Sequence, residues 1–367
     1  MSKKRKIIIW SISILGSLIL FLFLFGYWFI SLIPRPTQSR EELSKTLPSE
    51  ISYLSENFVE NRGKILTVVT STSMMGETDK STGYELTELA RAYYIFEANG
   101  FTVDVASTEG GNPPVVIDTD DMREFDYAFL NDSVAQNKAK NTIAVKDIDP
   151  SDYEAVYFVG GKGAMWDFPE NESIKKIIRT LYEENKVIGA VCHGPAALVN
   201  VTLSDGSNLL EGKKVSSFTN EEELLLISDA REIFPFLLQD KLKENGAEFV
   251  EGAMYLNQVS ADENIITGQN PWSTWTVAEN VVSRLGYTPK AREISSEENA
   301  VQVLGTYESN GYSEARTMIK KYCEQNEMSV DRELLAVHGL VAVYQLKLIK
   351  FVQLVRLLSY SNRFLDS

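Results

Sequence analysis

The sequence predicts an α/β fold, a flavodoxin-like sandwich whose mostly parallel sheet carries helices on both faces. Short runs of β-branched and aromatic residues alternate with segments of helical periodicity across residues 62–289, and this alternation is typical of parallel βαβ units. The length of that region suits one domain built on a single sheet. Because the ligand site of an open parallel sheet lies at the carboxyl ends of its strands, function is expected in the turns that follow them.

The predicted elements follow one another in chain order. Apolar runs predict buried strands, and apolar residues spaced three or four apart predict the helices between them. Residues 108–152 are rich in Gly, Pro, Asp and Asn, and they are predicted to form an irregular excursion. The strands are expected at residues 65–70, 101–107, 153–161, 187–191 and 263–271, and the helices at residues 82–99, 173–185, 236–245 and 273–285.

The strand at residues 187–191 leads directly into a candidate nucleophile, Cys192. His193, Gly194 and Pro195 follow, then good helix formers, and proline is favoured in the first turn of a helix. Cys192 is therefore predicted to occupy a sharp strand-to-helix turn, as in a nucleophile elbow. The positive end of the new helix is expected to lower the pKa of the thiol and favour the reactive thiolate. The alternative is an inert core cysteine.

Composition excludes several classes of protein. The 367 residues carry a formal charge of −15, with the excess of acid in residues 34–289, so nucleic acid is not an expected partner. Cys192 and Cys323 lie far apart and form no CxxC motif, which argues against a disulfide framework. The chain has only two histidines, so no metal site and no cofactor are expected.

The amino-terminal segment is predicted to anchor the protein in a membrane. Residues 7–33 carry no charge and exceed the roughly 20 residues that span a bilayer as a helix. The basic residues 3–6 should stay cytoplasmic. Residues 1–36 are thus expected to form a cytoplasmic stub and a single-pass signal anchor, residues 37–61 a stalk, and the catalytic domain is expected outside the cytoplasm. A buried core helix and a cleaved secretion signal are the alternatives.

Residues 290–367 are predicted to form a helical C-terminal extension outside the α/β domain. Their last part, residues 334–360, is apolar but carries three basic residues and no acid. These charges argue against a transmembrane span. Packing within a small helical appendage is favoured over a cationic helix on an anionic membrane surface.

Six segments of the α/β region carry motifs of a known family. Together they resemble the PfpI-type class I glutamine-amidotransferase-like superfamily, within it the branch of heat-shock-type chaperones and glutathione-independent glyoxalases. The resemblance covers about residues 62–288, with the motifs in the family's order. The segments are STGYELTELARAYYIF at 81–96, GGKGAMWDF at 160–168, AVCHGPAAL at 190–198, SFTNEEE at 217–223, PFLLQDKLKENGAEF at 235–249 and ITGQNP at 266–271.

The resemblance implies a catalytic triad. It places the nucleophile at Cys192 and the adjacent histidine at His193. It implies Glu223 as the acid of the triad, and the neighbouring Glu221 and Glu222 remain alternatives.

The resemblance also implies a pocket around the thiol. Glu88, at the end of the TGxxxxE pattern, corresponds to the family's carboxylate that hydrogen-bonds the thiol. The backbone N–H groups of Gly161 and His193 are the implied oxyanion donors. The implied pocket residues are Gly160, Gly161, Lys162 and Gly194.

The chain departs from the family's pattern at two places that border the pocket. Many relatives have histidine where this chain has Lys162, and many have His-Pro where it has Arg91-Ala92. The resemblance therefore does not fix the substrate preference of this chain. A zinc site described for some relatives needs histidines that this chain lacks.

The function implied by the resemblance is conversion of methylglyoxal to lactate without glutathione, by a lyase of the glyoxalase III (D-lactate dehydratase) class. The alternatives are a chaperone, stress-protection or redox-sensing module with little turnover, and an amidase or peptidase. The expected partners are a small dicarbonyl or a protein substrate, and the membrane through residues 7–33. A second copy of the chain, in a homodimer, is a further option.

Overall fold

The computed structural model describes residues 3–33, 40–324 and 330–364. The chain divides into two units, an α/β unit and a helical unit. The α/β unit is Gln38–Glu293, and the helical unit combines Met1–Thr37 with Ile294–Ser367. The segment 37–61, for which the sequence predicts a stalk, thus belongs to the α/β unit from residue 38 onward.

The α/β unit is built around a seven-stranded sheet, with two small two-stranded sheets beside it. The central strands are buried along their whole length, as a sheet covered on both faces requires. The strands are β1 Lys64–Val69, β2 Tyr84–Glu85, β3 Thr102–Ser107, β4 Val115–Val116, β5 Ile143–Ala144, β6 Ala155–Phe158, β7 Val187–Val191, β8 Lys214–Val215, β9 Glu248–Phe249, β10 Val259–Asp262 and β11 Ile265–Gly268.

The large sheet has the strand order β10-β11-β7-β6-β1-β3-β5. Its neighbouring strands run parallel, except that β10 pairs with β11 in the antiparallel sense. The predicted α/β fold with a mostly parallel sheet is therefore confirmed. β6 and β7 lie side by side, with Phe158 opposite Ala190, so the turns that follow these two strands meet at one edge of the sheet.

Helices connect the strands, and further helices form the second unit. Short 3-10 turns lie at Pro48–Glu50, Val145–Asp147, Pro150–Asp152, Gly194–Leu198, Pro271–Ser273 and Asn362–Phe364. The α-helices are α1 Lys3–Ser31, α2 Arg40–Leu43, α3 Ser52–Ser55, α4 Leu86–Ala98, α5 Glu124–Asn131, α6 Ser133–Lys140, α7 Ala164–Asp167, α8 Glu172–Glu183, α9 Asn220–Leu226, α10 Ala230–Ile233, α11 Leu238–Glu244, α12 Thr274–Arg284, α13 Ser296–Asn310, α14 Tyr312–Glu324, α15 Arg332–Tyr344 and α16 Leu348–Ser361.

Two apolar clusters cover the two faces of the large sheet. Alternate residues of a strand point to opposite faces, so in β1 Ile65 and Val69 join one cluster while Leu66 and Val68 join the other. Side chains of α4 and α12 complete the first cluster, and side chains of α8 and α11 complete the second. The sheet thus has helices on both faces.

Residues 108–152 are more regular than the sequence predicts. They contain α5 and α6, each eight residues long, and the short strands β4 and β5. Helices this short are marginal by their own propensity and depend on tertiary packing. Here the packing comes from buried side chains such as Phe129 and Ala135, and Asp132 caps the start of α6.

A buried ion pair fixes α5 against α4. The guanidinium of Arg91 donates to both carboxylate oxygens of Asp126, at 3.2 and 2.9 Å, and to the carbonyl oxygen of Asp121 at 2.8 Å. The two paired side chains are only 3% and 0% exposed. Arg91, one of the departures from the family's pattern, therefore stabilises the packing of α5 on α4.

Replacing Asp126 by alanine should destabilise the protein strongly. The guanidinium of Arg91 would lose the buried carboxylate that it pairs with, and removing one partner of a buried pair typically costs about 3–5 kcal/mol. Urea denaturation followed by circular dichroism measures the change in free energy of unfolding. As a control, Glu41→Ala breaks the exposed pair with Lys45 and should cost less than about 1 kcal/mol. An equally small loss for Asp126→Ala would contradict a stabilising role of the pair.

The amino-terminal helix does not have the properties predicted for it. Among the described residues, no helix is both long and apolar enough to cross a membrane. Near the end of α1, the Phe29 ring contacts that of Phe351 at a centroid distance of 6.3 Å. The predictions of a single-pass anchor at residues 7–33 and of an extracytoplasmic catalytic domain are therefore wrong, whereas the membrane as a partner stays a prediction.

The apolar stretch at residues 334–360 forms two helices, α15 and α16. Between them Leu346 adopts a φ of +58°, which reverses the chain. Each of these helices buries part of its apolar surface within the helical unit, where Leu335 and Leu354 are fully buried, whereas Leu340 and Ile349 are exposed. His338 is buried in α15, and burial together with the charge of Lys350 lowers its pKa to about 4.

Candidate active site

The turns after β6 and β7 bring the two glycine-containing motifs together. Gly160 follows β6 and Cys192 follows β7. A Cβ added at Gly160 would lie 2.8 Å from the Cβ of Cys192, 2.7 Å from the carbonyl oxygen of Val191 and 2.5 Å from a carboxylate oxygen of Glu88. The backbone at position 160 therefore approaches the thiol as closely as glycine alone permits.

Cys192 lies on a strained turn. Its φ of +58° is in the left-handed region, which residues other than glycine rarely adopt and which often marks functional sites. The N–H of Cys192 donates to the Gly268 carbonyl at 2.9 Å, and its own carbonyl accepts from the Phe218 N–H at 3.0 Å. Gly194 allows the close turn, because a Cβ there would lie 2.2 Å from the carbonyl oxygen of Phe158. This geometry is that of a nucleophile elbow.

The helix that follows the thiol is shorter than the sequence predicts. Gly194–Leu198 is a 3-10 turn of five residues, and the chain leaves it through Val199 in an extended conformation and Asn200 with a φ of +59°. So few aligned peptide groups supply little of the field that a longer helix would place on the thiol. The expected effect of a helix dipole on Cys192 is therefore small.

Cys192, His193 and Glu223 form a hydrogen-bonded chain. The Cys192 Sγ lies 3.3 Å from Nδ1 of His193, and Nε2 of His193 lies 2.6 Å from Oε2 of Glu223. The three residues are only 3%, 1% and 5% exposed. The imidazole packs against Phe218 and Phe234, at centroid distances of 4.8 and 6.4 Å, so its plane is held in place.

The three consecutive glutamates of α9 have different surroundings. Glu221 is exposed to solvent, whereas Glu222 and Glu223 are buried. Successive side chains of a helix point in different directions, and only Glu223 of the three meets His193. The carboxylate of Glu222 instead accepts hydrogen bonds from the backbone N–H groups of Thr219 and Tyr255 and from the side-chain amides of Gln269 and Asn270.

The electrostatics of Glu223 favour the ionised form. Burial would raise its pKa, but the charge and hydrogen bond of His193, together with the charge of Lys162, outweigh burial and hold the pKa below its ordinary value. A carboxylate at this position keeps the proton of the imidazole on Nε2. Nδ1 is then free to accept the proton of the Cys192 thiol.

Glu88 lies beside the nucleophile on α4. It is fully buried, and its Oε2 accepts the N–H of Gly160 at 2.7 Å. Burial and the nearby charge of Glu85 raise the pKa of Glu88 well above its ordinary value. The raised pKa favours the protonated carboxyl, which can donate a hydrogen bond to the sulfur.

The thiol itself is harder to ionise than the sequence predicts. Burial raises the pKa of Cys192 well above its ordinary value, the charges of Glu88 and Glu85 add to this effect and the charge of Lys162 opposes it. The expectation of a lowered pKa is therefore wrong, because the turn is buried next to carboxyl groups. Protonation of Glu88 would remove its share of the repulsion, and His193, 3.3 Å from the sulfur, is placed to accept the thiol proton.

Glu85 makes the reactivity of the thiol depend on pH. Burial raises the pKa of Glu85 to about 7, and ionised Glu85 disfavours the Cys192 thiolate. In the Glu85→Gln variant, alkylation of Cys192 by iodoacetamide should be faster than in the wild type above pH 7. The two rates should converge at about pH 6, because the wild-type Glu85 side chain is protonated there and, like glutamine, carries no charge. Identical pH profiles would contradict this coupling.

Two backbone N–H groups next to the thiol are available to a ligand. Neither the Gly161 N–H nor the His193 N–H has an acceptor in the part of the chain that the structure describes. Gly161 has a φ of +101°, and a Cβ there would lie 2.3 Å from the carbonyl oxygen of Gly83. The two donors and the half-buried Lys162 give the site the means to stabilise an oxyanion.

The sequence analysis did not identify the aromatic surroundings of the imidazole. Phe218, Phe234 and Tyr255 lie near His193 or pack on one another, with Phe218 and Tyr255 at a centroid distance of 6.1 Å. Tyr255 has a φ of +53°, and its hydroxyl donates to the carbonyl oxygen of Glu222 at 3.1 Å. The only sequence signal was that Phe218 lies within one of the family motifs.

These observations define a class of protein, an α/β protein with a buried cysteine on a strained strand-to-helix turn, hydrogen-bonded to the histidine that follows it. The chain belongs to the DJ-1/PfpI family, whose sequence pattern matches residues 80–284. The resemblance read from the motifs is thereby confirmed.

Curated relatives and a solved structure show the same similarity. The chain is 30% identical to Glyoxalase 3 of Candida albicans, over 60% of this chain and 97% of the relative. It is 28% identical to the glutathione-independent glyoxalase HSP31 of Saccharomyces cerevisiae, over 60% of this chain and 98% of the relative. The crystal structure of glyoxalase III from Candida albicans covers 62% of this chain and 98% of its own, with 28% identity and a TM-score of 0.58.

Proposed function

We propose that the protein converts methylglyoxal, or a closely related 2-oxoaldehyde, to the corresponding 2-hydroxy acid without glutathione. The observation that carries the proposal is the hydrogen-bonded chain from Cys192 through His193 to Glu223. The relative with 30% identity is named Glyoxalase 3, and the relative with 28% identity is named a glutathione-independent glyoxalase. These names support an activity of this type.

In the first step the Cys192 sulfur adds to the aldehyde carbon. His193 Nδ1 takes the thiol proton, and the new carbon–sulfur bond gives a hemithioacetal. The charge that develops on the former aldehyde oxygen is met by the Gly161 and His193 N–H groups. Ionised Glu223 stabilises the imidazolium that forms.

In the second step the hemithioacetal rearranges. A base removes the proton from the former aldehyde carbon, and an enediol forms with the neighbouring ketone. Reprotonation at the second carbon leaves a thioester of the 2-hydroxy acid, so the aldehyde carbon is oxidised while the ketone carbon is reduced. Glu88 and His193 are the proton carriers in reach of the sulfur. Water then hydrolyses the thioester and releases the acid and the thiol.

The burial of the site supports a small substrate. Cys192 is 3% exposed, so the thiol is accessible to a compact aldehyde more readily than to a protein chain. A redox-sensing role is less well supported, because oxidation-sensitive cysteines are solvent-accessible and have a lowered pKa, whereas burial raises the pKa of Cys192.

The test is formation of lactate from methylglyoxal by the purified full chain in buffer without glutathione. Lactate is measured enzymatically as either enantiomer, and loss of methylglyoxal is followed in parallel. We expect stoichiometric, glutathione-independent conversion with multiple turnovers. Loss of methylglyoxal without lactate would show only chemical scavenging and would contradict the proposal, as would a requirement for glutathione.

A further inference from the structure

A cavity of about 410 Å³ lies within the helical unit. Its lining includes Trp28 of α1, Tyr312 and Arg316 of α14, and Arg356 and Tyr360 of α16. This cavity is a cleft open to solvent, and its volume lies in the range of small-molecule sites. None of the residues of the candidate active site lines it.

The spacing of the lining residues explains why they meet. Tyr312 and Arg316 are four residues apart on one helix, and so are Arg356 and Tyr360 on the other, so each pair shares a helix face. Arg363 follows in the 3-10 turn after α16 and joins the same wall. Three guanidinium groups thus border one cavity.

These three arginines are exposed to solvent and pair with no carboxylate among the residues that the structure describes. Within the described part of the chain, Arg316, Arg356 and Arg363 form no ion pair with a carboxylate, and no acidic residue lines the cavity. Lysines on the same two helices behave differently, since Lys320 pairs with Glu324 and Lys350 with Glu308. Positive charges gathered without a counterion repel one another, and in a chain of net charge −15 such a grouping indicates a site for an anion.

We propose that this cavity binds the phosphate group of a small phosphomonoester whose organic part is flat and apolar. Guanidinium groups bind phosphate oxygens through paired hydrogen bonds, and a dianion matches several of them better than a carboxylate does. Aromatic rings supply the remainder of the site: Arg316 lies over the Tyr360 ring at 4.4 Å, and the Trp28 side chain is 42% exposed. The exposed indole offers a surface on which a flat group can stack.

The test is isothermal titration of the full chain, at low ionic strength, with phenyl phosphate, inorganic phosphate and phenol. We expect saturable binding of both phosphates, tighter for phenyl phosphate, and no binding of phenol. The double variant Arg316→Gln/Arg356→Gln should bind both phosphates about a hundredfold more weakly, since each of the two lost charged hydrogen bonds is worth about tenfold. The Trp28→Ala variant should weaken phenyl phosphate but not inorganic phosphate.

The matched control is Lys320→Gln, which removes a positive charge from α14 outside the cavity and should leave binding unchanged. An equal loss in this control would show a general charge effect and overturn the proposal, as would wild-type binding by the double variant. Binding to vesicles that contain phosphatidic acid, with no binding of either soluble phosphate, would also overturn it. Methylglyoxal turnover is assayed separately, so failure of this proposal leaves the proposed reaction untouched.

Discussion

Replacing Cys192 by alanine is expected to reduce lactate formation from methylglyoxal by at least about 10⁴-fold, to the background rate. The reaction proposed here proceeds through a covalent bond to sulfur, and removal of a nucleophile typically costs most of the catalytic effect. The Cys192 thiol is also the group to which the hydrogen bonds from Glu223 through His193 lead. Initial rates of lactate formation at saturating methylglyoxal measure the loss.

The other cysteine provides the matched control. Cys323 is half-buried in α14 of the helical unit, and Cys323→Ala should keep wild-type turnover. Cys192→Ser tests the chemistry further, because serine preserves the size of the side chain but not the nucleophilicity of a thiolate, and it too should be inactive. Turnover that persisted in Cys192→Ala would contradict covalent catalysis at this residue.

The environment of Cys192 explains why its position, but not its acidity, was predictable from the sequence. The β-branched residues, the glycine and the proline each favour a local backbone conformation. The strand and the turn at residues 187–195 can therefore be predicted from the sequence alone. The pKa depends on which distant groups surround the sulfur. Glu88 is separated from Cys192 by more than a hundred residues, and burial there reverses the effect expected from a helix end.

The choice of the triad acid shows the same limit. The motif at residues 217–223 places three glutamates within reach of His193, and adjacent helix positions cannot be ranked from spacing alone. The rotation of α9 decides among them. Glu222 fixes that rotation through Gln269 and Asn270, which follow β11, the strand beside β7, and Glu223 is thereby left opposite the imidazole.

The apolar content of a segment does not predict its structure where that structure depends on contacts with distant segments. The apolar run of α1 predicts a membrane span, but no helix in the described part of the chain is long and apolar enough to cross a membrane. In the helical unit Phe29 and Leu32 are buried. Conversely, the polar composition of residues 108–152 predicts an irregular segment, yet α5 forms there because Asp126 pairs with Arg91 in the interior. Both outcomes depend on contacts between distant segments.

Glu88 and Cys192 together determine how many protons the site holds. Burial raises the pKa of both groups, so the ionisation of both at once is strongly disfavoured. One negative charge is therefore the most that the pair carries during the reaction. When that charge is on the sulfur, the neutral carboxyl donates to it, and when it is on Glu88 the carboxylate can accept a proton from the substrate carbon.

Replacing Glu88 by glutamine is accordingly expected to lower lactate formation by about 10²–10⁴-fold, the usual worth of a positioned proton carrier. Glutamine keeps the carbonyl oxygen that accepts the Gly160 N–H and fills the same volume, so the fold should be retained. Because the amide cannot ionise, it removes repulsion from the thiolate, and alkylation of Cys192 by iodoacetamide should be as fast as in the wild type or faster. Glu85→Gln, the neighbouring control, should change turnover by less than tenfold. Parallel loss of alkylation and turnover in Glu88→Gln would instead assign Glu88 to holding the thiol in place, and unchanged turnover would remove it from the mechanism.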